Sequence, residues 1–201
     1  MATVSDRALA AELISLAAED QRVRAELASE GTLFQGYHPR MQAVHARNAA
    51  RLTQIIDRYG WPGRALVGEE AAHAAWLILQ HAIGHPTLQR RGLELLREAP
   101  RGDVHPSEVA MLEDRILCFE GRDQVYGTQF DWDEAGNLSP LPIRERAALD
   151  QRRAKVGLGP LAEDLERRRT EIAESGEPPP KDWAQRQREL EIWLRQVGWR
   201  S

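Results

Sequence analysis

Apolar side chains recur at helical spacing along most of this chain, and the positions where a polar residue breaks the spacing are the informative ones. Leu9, Leu13, Leu16, Val23 and Leu27 make one stripe, predicting a helix from an N-cap at Ser5 to about Ala28, with Gly31 stopping it. A second helix, from about Arg40 to Tyr59, carries Met41, Val44, Leu52, Ile55 and Tyr59 and closes on Gly60. The run 71–85, AAHAAWLILQHAIGH, is the most apolar stretch and reads as one helix stopped by Gly84. Trp76, Leu77, Ile78, Leu79 and Ile83 lie around its whole circumference, which marks a buried central helix. Pro86 suits the first turn of a fourth helix reaching about Glu98, and Pro106 opens a fifth reaching about Phe119.

The period then changes. Residues 124–143 alternate, with Val125, Thr128, Phe130 and Trp132 as strand formers and a turn at 134–137, predicting a β-hairpin or ordered arm over the bundle. Helices are expected again over 144–156 and 160–174, followed by a proline spacer at 176–180. The last helix, 181–197, lines Trp183, Leu190, Trp193, Leu194 and Val197 on one side, with Trp199 just beyond. Such a stripe is a docking face, onto this bundle or onto a second copy. The expected fold class is therefore mainly α: a helical bundle with a short β-hairpin arm and an extra C-terminal helix. Its expected division is a bundle domain over 1–174 and a spacer with docking helix over 175–201.

Composition narrows the function classes. A chain of 201 residues with 42% hydrophobic and 29% charged residues is ordinary for a soluble globular protein. A net charge of -4 offers no nucleic-acid footprint, and no apolar run approaches the ~18 residues of a membrane span. The single cysteine, Cys118, excludes an internal disulfide and fits a reducing cytoplasm, and its apolar surroundings point to an inert thiol. The first residues lack the basic and apolar regions of a signal peptide, so the expected location is cytoplasmic.

Candidate chemistry comes from the interruptions. Asp20 occupies a core position of the first helix, with Arg24 one turn on as an expected ion-pair partner. His45 and Asn48 interrupt the second stripe, His81 the central helix, and Asp114 or Arg115 the fifth. Burying such groups unpaired costs about 1–3 kcal/mol each, so they should meet one another, a water or a ligand. Helix bundles build their sites from facing side chains in this way. Two metal patterns are weak: Glu70-x-x-His73 lacks the second pair a di-iron bundle needs, and His81-x-x-x-His85 ends at a Gly–His–Pro break. No cofactor or metal is assigned, although a bound ion would point to Asp20, His45, His81 and Asp114. The signatures G-x-S-x-G, H-E-x-x-H, G-x-G-x-x-G and the P-loop are absent.

The segments Asp20-Gln21-x-x-Arg24, Gly60-Trp61-Pro62, Gln80-His81-Ala82, Asp114-Arg115, Gln124-x-Tyr126-Gly127-Thr128-Gln129, and Arg152-Arg153 followed by Val156-Gly157-Leu158 form a set. In this set the chain resembles a bacterial family known as a domain of unknown function. The resemblance spans about Asp20 to Leu158, omits His73 and His85, and leaves the tail after about Glu174 outside. It implies no reaction, but it implies that Tyr126–Gln129 works with Gln80 and His81 as one functional unit.

The leading functional expectation is a small enzyme, a hydrolase or lyase, acting on a polar, anionic small molecule in a pocket between the helices. His81 is the expected general acid/base and Asp20 its orienting carboxylate. Arg24, Asn48, Gln80, Asp114, Arg115, Tyr126, Thr128, Gln129 and Arg153 are the expected substrate-binding residues, the guanidinium groups suiting carboxylate or phosphate. Two other readings stand beside it: a non-catalytic binder of a small molecule or peptide, such as a resistance or partner protein, and an interaction module working through the tryptophan-bearing tail. Expected partners are a small-molecule ligand and a second copy docked through the C-terminal helix, with no nucleic acid and no membrane.

Overall fold

The computed structural model describes residues 6–33 and 36–201, so the expected cap at Ser5 lies outside the described residues. Among the described residues helix dominates, and the only strands are two of three residues each. The protein is mainly α. Among the described residues no helix is long and apolar enough to cross a membrane. The chain divides into two compact units, residues 1–105 and 106–201.

The first unit is built around one helix. α1 (Arg7–Ser29) is capped by Asp6, whose carboxylate accepts from the Leu9 N–H at 3.0 Å. α2 (Pro39–Tyr59) begins on a proline, and a short α3 (Arg64–Val67) follows the 60–63 turn. Gly68, at φ +82°, takes a left-handed conformation that other residues adopt poorly, and starts α4 (Glu69–His81). Ala71, Ala75, Ile78 and Leu79 are almost fully buried, as a central helix requires, and α4 packs against α1, α2, α3 and α5 (Pro86–Glu98).

α4 is shorter than the apolar run that encodes it. It ends at His81, three residues before Gly84, and 82–85 form a turn. The cause is a side chain from the next helix. Gln89, fully buried, donates its amide to the carbonyls of Leu79 and Gln80 at 2.8 and 3.0 Å. Those carbonyls are then satisfied without another helical turn. Pro86, beyond the break, disfavours helical backbone at His85. His81 and His85 therefore do not share a helix face.

The second unit starts with α6 (Pro106–Phe119) and the loop 120–129. The hairpin pairs β1 (Phe130–Trp132) with β2 (Leu138–Pro140), antiparallel, around a turn where Asp133 accepts from the Asn137 N–H and the Ser139 hydroxyl. Val125 and Thr128, expected in a strand, sit in the loop instead because Asp114 holds their backbone. The helix expected over 144–156 begins late, as a 3-10 turn (Arg146–Ala148) leading into α7 (Leu149–Lys155). Arg152 donates to the carbonyls of Arg144 and Glu145, holding both outside the helix. α8 (Leu161–Ser175) and α9 (Trp183–Gln196) complete the unit. α9 packs back within it: Trp183 Nε1–H donates to the Trp132 carbonyl at 2.8 Å, and Phe119 meets the rings of Trp193 and Trp199.

Candidate functional site

Three inward polar residues of the first unit converge. Asp20 comes from the middle of α1, His45 from α2 and His81 from the last position of α4. Each occupies a place in a helical stripe that would otherwise hold an apolar side chain, so packing the three helices brings the three side chains together. Nδ1 of His81 lies 2.9 Å from Oδ1 of Asp20, in hydrogen-bond alignment. Nε2 of His45 lies 3.1 Å from Oδ2 of the same carboxylate. That is ion-pair distance, yet neither atom has an aligned hydrogen bond, and both are buried. The two imidazole centroids are 5.3 Å apart.

The electrostatics follow from the packing. Burial by itself pushes the Asp20 carboxyl up, but the His45 and His81 imidazoles beside it outweigh burial and hold the group well below the usual carboxylate range. Asp20 is therefore an anion with 1% of its side chain exposed. His45 is 10% exposed and His81 22%, so the open side of the cluster is the His81 side. Tyr37, with its hydroxyl 2.8 Å from Nδ1 of His45, extends the network toward α2's start. Burial and the Asp20 charge raise the Tyr37 phenol, which stays neutral and keeps its proton for hydrogen bonding. Burial also lowers His85, with the charge of His45 adding to the effect.

Sequence reasoning paired Asp20 with Arg24. The structure pairs it with the two histidines, while Arg24 stands on the exposed face of α1. Asn48 is buried and donates to the Leu16 carbonyl at 3.1 Å, stapling α2 to α1. Gln80 is buried on α4. His45 and Tyr37 were the members of the cluster outside the expected catalytic and substrate-binding set. His45 was visible as an inward polar residue on α2. Tyr37 was visible only as a loop aromatic, and its contact with His45 depends on how the 36–38 loop folds back. Glu70 and His73 are exposed, and His73 stacks on Trp76 with centroids 5.3 Å apart, which does not resemble a buried metal pair.

The remaining expected residues gather in the second unit around one loop. Asp114, 0% exposed, accepts from the backbone N–H groups of Val125, Tyr126 and Thr128 and from the Thr128 hydroxyl, at 2.7–3.1 Å. Burial pushes its carboxyl up, and these donors pull it back only in part. Arg153, 1% exposed, donates to the carbonyls of Tyr126 and Gly127 and pairs with Asp164 at 3.1 Å. Gln129 Nε2 reaches the Thr128 hydroxyl at 3.1 Å. Arg115 is half-buried on α6. In this conformation Asp114, Thr128 and Arg153 shape the loop 125–129 from both sides. A groove of about 510 Å³ lies in this unit, lined among others by Cys118, Gln129, Asp131, Arg186 and Arg200. Two of its arginines are paired, Arg186 with Asp131 at 2.7 Å and Arg200 with Glu191.

A family model described as a family of unknown function (DUF6624) matches residues 7–173. No curated protein and no solved structure matches the chain.

Proposed function

The chain belongs to that family of unknown function, which brings no reaction with it, and from the site itself we propose a small-molecule enzyme working by histidine acid–base chemistry. One observation carries the reading. A buried, ionised Asp20 accepts a hydrogen bond from Nδ1 of a partly exposed His81. A carboxylate in that position fixes the imidazole tautomer and stabilises the imidazolium, leaving Nε2 as the atom that takes or gives a substrate proton. Imidazole suits the task because it titrates near neutral pH. Asp20 is the positioning residue and His81 the catalytic one. The substrate class is a polar small molecule that reaches the His81 side of the cluster, and hydrolysis or elimination are the reactions a single proton-transfer group supports.

The test is an activity screen over panels of small esters, amides, phosphoesters and eliminable acids, with the full chain and its His81→Asn variant assayed side by side in chelator. An activity that falls at least about 100-fold in the variant supports the reading. An activity that survives the substitution ends it.

The tail reading receives less support. Trp183, Trp193 and Trp199 all have partners inside the second unit, and Trp199 is 4% exposed. An interaction surface working through those rings would first have to undo that packing.

A further inference from the structure

Two buried polar atoms in the first unit face each other without a hydrogen bond. Oδ2 of Asp20 and Nε2 of His45 are 3.1 Å apart, and the nitrogen's in-plane axis does not aim at the oxygen. Buried nitrogen and oxygen atoms are nearly always partnered, so such a pair demands a reason. Atoms that converge on a common third atom have this relation: close together, but pointed past each other.

We infer that Asp20, His45 and His81 form a binding site for one divalent transition-metal cation of the zinc class. Two donors about 2.1 Å from one ion and 3.1 Å apart subtend about 95° at it, within the range zinc tolerates. One donor atom from each of the three residues lies within 4.8 Å of the others. Ligands of one tetrahedral ion sit about 3.4 Å apart, so the set closes with side-chain shifts of about 1 Å. The donor chemistry selects the ion. Two imidazole nitrogens and one carboxylate suit zinc, cobalt or nickel, whereas calcium and magnesium take all-oxygen cages.

The surroundings fit as well. Asp20 supplies one buried negative charge for the cation to neutralise. Tyr37, 2.8 Å from Nδ1 of His45, orients the ring from outside, as partners of ligating imidazoles do. Three protein ligands leave a fourth position, and His81, at 22% exposure, lies on the side from which water reaches it. His81 Nδ1 is aligned on Oδ1 of Asp20, so taking the ion means exchanging that proton for metal. The inference stands apart from the acid–base reading. An ion held by Asp20 and His81 withdraws that pair from proton transfer, so zinc inhibits any activity that depends on it, and binding is measured with no substrate present.

The experiment is calorimetric titration of zinc chloride, with magnesium as a control, into the full chain stripped by chelator and dialysed. The expected result is one zinc per chain at micromolar Kd or tighter, no magnesium binding, and a higher Tm with zinc. His45→Gln and Asp20→Asn each weaken zinc at least about 100-fold, and Tyr37→Phe about 10-fold. His105→Ala leaves affinity unchanged, because His105 pairs with Glu69 elsewhere on the unit. If Asp20→Asn fails to fold by circular dichroism, His45→Gln and the d–d absorption of the cobalt-loaded wild type decide alone. Wild type that binds no zinc at millimolar concentration overturns the inference. So does affinity that is unchanged in His45→Gln, or lost in His105→Ala.

Discussion

His81 Nδ1 lies 2.9 Å from Asp20 Oδ1 across 61 residues of chain, joining the end of α4 to the middle of α1. The same carboxylate faces His45 on α2, so three helices meet on one buried charge.

That charge makes stability depend on pH with a definite sign. The Asp20 carboxyl is depressed in the folded chain relative to its unfolded value of 3.8, so the folded state favours the ionised form. Its contribution is complete above the unfolded value and is lost as pH falls below it. Asp20→Asn should cost about 3 kcal/mol in urea unfolding at pH 7, as expected when a buried ion pair loses one partner. The wild-type advantage should shrink by about 1.4 kcal/mol per pH unit below the unfolded value. An advantage that stays constant to the acid limit of folding would show that Asp20 is not ionised in the native chain.

Asp114 should matter to structure as much as Asp20 does. Its oxygens receive three backbone N–H groups and one hydroxyl. Asp114→Ala leaves those donors buried and unpaired, and about 3 kcal/mol of stability in the second unit should go with them. Amide hydrogen exchange at 125–128 should accelerate together with the loss. A variant of wild-type stability in which those amides stay protected would contradict this account of the loop.

Much of this was legible in the sequence, and the parts that were not share a cause. An aspartate in the Leu13–Val23 stripe, an inward His45 and an inward His81 all declare themselves by breaking a helical period. Their partners do not. The only neighbour a sequence shows for Asp20 is one turn away, so Arg24 was the natural choice, yet the contact comes from residues brought near by folding. Helix α4 fails to reach Gly84 for the same reason: its end is set by Gln89, ten residues beyond Leu79. Likewise Val125 and Thr128 have strand-forming side chains, but a carboxylate on α6 fixes their backbone in a loop.

Gly92 marks a close approach of α5 to α4. A Cβ there would lie 2.5 Å from Cδ2 and 2.7 Å from Cδ1 of the fully buried Leu79. Alanine gains about 1 kcal/mol in helix propensity over glycine. Overpacking against a fully buried leucine costs about 1–3 kcal/mol, so the steric term should win. Gly92→Ala should therefore lower Tm, by about 2–4 °C per kcal/mol for a chain of this size. A raised Tm would mean that Leu79 has room to turn away.

Cys118 should be chemically quiet despite being partly exposed. Burial pushes its thiol up to about 12, with the charge of Asp114 adding to the effect, so the thiolate fraction at pH 8 is on the order of one in ten thousand. Iodoacetamide at pH 8 should label the native chain far more slowly than the urea-unfolded chain. Equal rates would show that the thiol is open to reagent and unperturbed.

The decisive substitution is at His81, and two variants separate its roles. In His81→Asn the amide nitrogen falls close to where Nδ1 stood, so it can still donate to Oδ1 of Asp20 while the proton-transferring Nε2 is gone. In His81→Ala the carboxylate loses that donor altogether. Stability should therefore fall by about 1 kcal/mol or less in the asparagine variant and by about 2–3 kcal/mol in the alanine variant. Activity separates the readings differently. If His81 transfers a proton, both variants lose about 100- to 10,000-fold in kcat, the asparagine variant while still folded like wild type. If His81 only completes a buried network, activity follows stability, and the asparagine variant keeps nearly all of it. Thermal melts and a rate measured on the same two samples decide between them, and an active His81→Asn chain removes His81 from catalysis.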